Sequence, residues 1–148
     1  MATASYFTNR GLFLLMSSDF DAIDFRALLI TTEVAAATGR DHNFVSEVIA
    51  AGTETTATGY SRKTLAGVAT AESDASDNAT VSWSTVAWGA LGGATNTAIA
   101  QMVIYKFNAS DAAAEAICYV GGSALPFTTN GSTVSSTTPT VTATSTAT

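Results

Sequence analysis

His42 and Cys118 are the single histidine and the single cysteine of this 148-residue chain, so acid–base or nucleophilic chemistry has few groups to use. Asp41-His42 is the acid–imidazole pair on offer, and a hydrolase would add a serine nucleophile on a strained turn with oxyanion donors. No Gly-x-Ser-x-Gly run exists. Gly121-Gly122-Ser123 comes nearest, but a glycine directly precedes the serine and nothing in the sequence ties it to His42. Cys118 lies within Ala116-Ile117-Cys118-Tyr119-Val120, a buried-strand pattern in which a thiol behaves as a small hydrophobe. A lone cysteine also forms no internal disulfide.

Metal and phosphate chemistry find no better footing. Structural zinc needs several Cys or His ligands, and here each type occurs once. Asp19, Asp21 and Asp24 offer oxygen ligands at a spacing Ca²⁺ accepts, yet the later Gly and terminal Glu of an EF-hand loop are missing. A solvated acidic loop is the simpler reading. Gly92-Gly93 is not followed by the Lys-Ser or Lys-Thr of a phosphate-binding loop. The expectation is a protein without cofactor or metal that is not an enzyme. Two indoles remain, Trp83 and Trp88, five residues apart. Trp83 reads as core, Trp88 as core or an interface anchor, and Trp88 with Tyr60 could instead stack on sugar rings.

The elements that would position these residues follow from periodicity. Ala4 to Met16 reads as a short helix with Asn9 and Arg10 outward. Phe25 to Thr32 is apolar enough for a strand covered on both faces. Asp41 is a candidate N-cap for a helical turn carrying Phe44, Val45 and Val48, with Glu47 suited to the helix dipole. From Gly59 the period becomes two: Ala79, Val81 and Trp83 alternate with Thr80 and Ser82. Ile99 to Tyr105 reads as a central strand, and Ala116 to Val120 as its antiparallel neighbour across the turn at 108–111. The fold class expected is mainly β, an antiparallel sandwich or small barrel with one or two short helices and an extended C-terminal arm.

Composition sets the outer limits. A chain of 15.1 kDa fits one domain, placed at residues 1–127. Residues 128–148 hold 14 Ser or Thr and only Val134 and Val141 as larger apolar residues, which predicts an arm that favours extension and wants a partner edge. Fully extended it would reach roughly 70 Å. The net charge of −6 and a pI near 4.4 exclude nucleic acid as an expected partner, because phosphate binding needs clustered Lys and Arg. The apolar run Gly11 to Met16 is too short for a membrane span and has no signal-peptide arrangement, so synthesis in a cytoplasm and no membrane partner are expected.

Taken in order, several blocks carry a family likeness: Leu29-Ile30-Thr31-Thr32, Asp41-His42-Asn43-Phe44, Gly59-Tyr60-Ser61-Arg62-Lys63-Thr64-Leu65, Asp77-Asn78-Ala79 leading to Trp83, Val86-Ala87-Trp88, and Val103-Ile104-Tyr105-Lys106. Over about residues 5 to 122 the chain resembles a family of small virion proteins of tailed bacteriophages. The resemblance implies a β-sandwich-like capsid decoration, or cement, protein on the outer surface of the major capsid protein shell. Its partners would be the major capsid protein and further copies of itself, a homo-oligomer with a trimer among the options. A phage tail component and a carbohydrate-binding virion module are the alternatives. The expected interface residues are Tyr6, Phe7, Trp88, Val134 and Val141, because apolar side chains and a reaching arm are what a cement protein needs.

Overall fold

The computed structural model describes residues 4–16 and 22–144. It is mainly β, with several antiparallel sheets and three short helices. Along the chain come β1 (Tyr6–Phe7), α1 (Asn9–Leu15), β2 (Phe25–Ile30), α2 (Ala36–Gly39), α3 (Val45–Gly52), β3 (Lys63–Thr64), β4 (Ala69–Ser73) and β5 (Asn78–Ser82). They are followed by β6 (Ala87–Trp88), β7 (Ala98–Ile99), β8 (Gln101–Lys106), β9 (Glu115–Val120), β10 (Phe127–Thr128), β11 (Val134–Ser135) and β12 (Thr140–Thr144). A five-stranded sheet in the order β1-β9-β8-β2-β3 forms the centre, and β12-β5-β4 forms a second sheet. Two-stranded ladders β10-β7 and β11-β6 complete the set.

The central sheet is apolar on both faces. Phe25, Ala27 and Leu29 of β2 join Met102 and Ile104 of β8 on one side, where Val81, Trp83, Trp88, Ile99 and Val141 from the smaller ladders cover them in a sandwich-like arrangement. Leu28 and Ile30 join Val103 and Tyr105 on the other, beneath Val34 and the Val45 and Val48 stripe of α3. Continuous rather than alternating hydrophobicity in β2 and β8 is the consequence of that double cover.

Strand β9 is irregular, and the irregularity seats α1. Ile104 pairs with Cys118 but Tyr105 pairs with Ala116, so Ile117 is an extra residue in the strand. The bulge keeps Ile117 and Cys118 on the same side while Ala116 and Tyr119 face α3. Thr8 reads it: the backbone N–H donates to Ile117 O at 2.9 Å and Oγ1 to Ala116 O at 2.7 Å, while Oγ1 accepts from Gly11 N at 2.8 Å as the N-cap of α1.

Three expectations change here. Tyr6 and Phe7 are strand residues paired with Tyr119 and Cys118, not the start of a helix, because β9 offers them an edge. Asp41 does not cap α3; it accepts from Asn9 Nδ2 at 3.1 Å, and Glu47 Oε2 takes the N–H groups of Asn43 and Phe44 at 2.6 and 2.9 Å. The Thr-rich segment is extended as its composition suggests but returns onto its own chain. β11 pairs with β6 and β12 with β5, because the alternation around Val134 and Val141 gives it an apolar face for the body's own core.

Gly11→Ala would place a methyl group on the Ile117 carbonyl oxygen, with backbone on both sides unable to yield. The expected loss is at least about 2 kcal/mol, read as a lowered urea midpoint. Truncation after Thr128 uncovers Val81 and Trp83, so calorimetry should show a cooperative transition weakened or lost; a melting temperature unchanged from the full chain would contradict the fold described here.

Candidate functional site

The residues with chemical potential are held apart or tied up by the fold. His42 Nδ1 lies 2.6 Å from the Tyr119 hydroxyl on the α3 side of β9, whereas Cys118 faces the opposite side. The sheet therefore separates the imidazole from the thiol, and burial pushes the thiol pKa well up. Ser123 is exposed in the turn after β9. Asp24 is exposed and pairs with Arg26 at 3.3 Å, while Asp19 and Asp21 lie outside the described residues. Among the described residues no group of three or more His, Cys, Asp or Glu could hold a metal ion. No described helix is long and apolar enough to cross a membrane.

The expected contact residues are mostly interior. Tyr6 stacks on Tyr119 with ring centroids 4.9 Å apart and donates its hydroxyl to Val34 O at 2.6 Å. Burial raises its pKa to about 12. Phe7, Trp88 and Val141 are also buried, and Val134 is half-buried beside Trp88 in the β11–β6 ladder. Trp88 Nε1 donates to Ser61 O at 2.8 Å. Tyr60 accepts from Leu29 N at 3.2 Å and donates to Glu54 at 2.6 Å. The Trp88 ring is buried and Tyr60 is half-buried. A cleft of about 370 Å³ lies where Leu29, Met102 and Val120 meet the 134–140 segment, and no charged residue lines it.

Two charge clusters went unseen in the sequence. Arg62 donates to Glu54 from Nε and Nη2, at 2.8 and 2.6 Å, and to Asp111 from Nη1 and Nη2, at 2.6 and 2.9 Å. The guanidinium also sits 5.5 Å from the Tyr105 ring centre. The hydrogen bonds from Arg62 hold the Asp111 carboxyl below its ordinary pKa, against the opposing effect of burial. The second cluster is centred on Glu115, whose carboxylate takes both Arg10 of α1 and Lys106 of β8. Burial of Glu115 favours its neutral form, but hydrogen bonds from Lys106 and Arg10 prevail and its pKa is lowered. These partners are 105 and 9 residues away from it, so no local pattern announces them.

Around Glu115 the surface changes character. Leu12, Phe13 and Met16 stand out from α1, with Phe13 58 % and Met16 80 % exposed. Arg10 lies over the Phe13 ring at 5.1 Å. Phe107, which directly follows Lys106, and Phe44, bridged by its backbone to Glu115, are the other large exposed apolar side chains among the described residues. The Phe107 ring lies under the Arg26 guanidinium, 3.4 Å from it, and Phe44 precedes α3 as its N-cap residue. A helix of seven residues carrying Leu12, Phe13, Leu14 and Leu15, with Met16 at its C-cap, has more apolar surface than one face can bury, which is the signal that sequence inspection had available.

The ion clusters set a pH dependence. Asp111 and Glu115 have depressed folded-state values, so their contribution is complete above the ordinary carboxylate range near ~4 and disappears as pH falls through it. The urea midpoint should drop between about pH 5 and 3, and Asp111→Asn should make that drop shallower. Arg62→Ala, which leaves two half-buried carboxylates facing each other, should cost about 2 kcal/mol at neutral pH.

No family model matches the chain, and no curated protein or solved structure matches it.

Proposed function

We propose that this protein is a structural component of a bacteriophage virion, a capsid decoration protein that seats on the outer surface of the major capsid shell and stabilises it. The observation that carries the reading is the outward exposure of Leu12, Phe13 and Met16 on and just after α1, beside the Arg10–Glu115 pair. Large apolar side chains held outward by a rigid sheet and a short helix are the makings of an interface anchor, with the Arg10–Glu115–Lys106 group as its polar support. The order of sequence blocks described above supports the same reading. Docking then rests on α1 and the ends of β8 and β9, in place of Tyr6, Phe7, Trp88 and Val141, whose burial gives them to the core. Burial of Trp88 and half-burial of Tyr60 favour this reading over the carbohydrate-binding one.

The test is co-sedimentation with capsids stripped of accessory proteins. Saturable binding at a stoichiometry commensurate with the shell is expected, and the double variant Leu12→Ser, Phe13→Ser should weaken it at least about tenfold while leaving thermal stability near that of the parent. Absence of binding to shells, with attachment to tails, would reassign the protein to the tail.

A further inference from the structure

We propose that β4 is an edge through which two copies of this chain pair into an antiparallel, two-fold symmetric dimer. β4 closes the outside of the sheet β12-β5-β4, and its only strand partner is β5. Residues 69–72 are exposed, and the backbone groups on the far side of the strand have no partner among the described residues. Natural sheets blunt an edge of this length with Lys, Pro, a bulge or a covering loop. β4 has none of these. Its sequence, Ala69-Thr70-Ala71-Glu72-Ser73, carries a single charge, and its register with β5 runs without a shift. The other outer strands are guarded: β1 and β3 are two residues long, and β12 follows Pro139 and lies beside β1.

A bare edge accepts an extended strand, and the side chains select which one. With Ala71 opposite its own symmetry mate, Thr70 falls opposite Glu72 and Ala69 opposite Ser73, so the two glutamates never face each other. The acidic tip formed by Asp74 and Asp77 then projects past the end of the paired strand toward the uncharged Ala66-Gly67-Val68 of the other copy. The result is a continuous six-stranded sheet with small residues at the seam. A five-residue seam buries less than the roughly 1,000 Å² of a stable free-standing dimer, and a net charge of −6 on each copy adds repulsion. Association is therefore weak in solution, is strengthened by salt, and becomes effective where copies are concentrated side by side. The inference stands apart from the docking surface at α1 and is tested without any capsid.

Sedimentation velocity of the free protein, over rising concentration and at about 50 and 500 mM NaCl, should show a monomer–dimer equilibrium shifted toward dimer by salt. Ala71→Lys sets lysine opposite lysine at the two-fold and should weaken the dimer at least about tenfold. Thr142→Lys, the same change of charge on the same sheet two strands from the edge, should leave it unchanged. Amide exchange at residues 69–73 should slow as the dimer forms. A protein that stays monomeric throughout would overturn the proposal. So would a dimer indifferent to Ala71→Lys, or one abolished by Thr142→Lys or by Phe13→Ser, which would place the contact on the sheet face or on α1.

Discussion

The bulge at Ile117 is the constraint on which the rest of this structure depends. One extra residue in β9 turns its first half so that Ala116 faces α3 while Ile117 faces the ladders. The carbonyl groups it exposes are taken by Thr8, and Thr8 in turn starts α1. Gly11 allows the helix to lie against that strand with no side chain between them. Thus a local irregularity in a buried strand decides where an amphipathic helix sits and which of its residues are left to solvent.

From that seat follows the distribution of charge. Arg10, the residue before Gly11 in α1, meets Glu115 at the start of β9, where Lys106 arrives from β8. Glu115 is largely shielded from water and survives as an anion because two cations reach it. Arg62 plays the corresponding part at the end of α3, with Glu54 and Asp111. Both clusters pair their carboxylates with cations, which makes them braces between distant segments. The exposed apolar residues of α1 lie beside one brace, the Arg10–Glu115–Lys106 group, on the surface proposed for docking.

Phe25 to Ile30, Gln101 to Lys106 and Glu115 to Val120 were legible as strands because both faces are buried, and burial on both faces leaves an unbroken apolar run in the sequence. Trp83 was legible as core for a similar reason, since it continues the alternation of β5. Other features were not legible. Tyr6 and Phe7 resemble the residues that follow them, and only the free edge of β9 makes them a strand. Trp88 carries no local mark of whether its indole meets Ser61 or solvent. α2 is a single turn without a side-chain cap, too short for periodicity to register.

By itself the sequence determined the mainly β class, the central strands, the scarcity of catalytic side chains and the extended character of residues 128–144, because each depends on composition or on a period of a few residues. Tertiary structure alone decided where the C-terminal strands pair, which aromatics are buried, and which apolar residues and which strand edge remain uncovered. Pairing and burial are set by partners far away along the chain, and a side chain's chemistry is the same before and after that partner arrives.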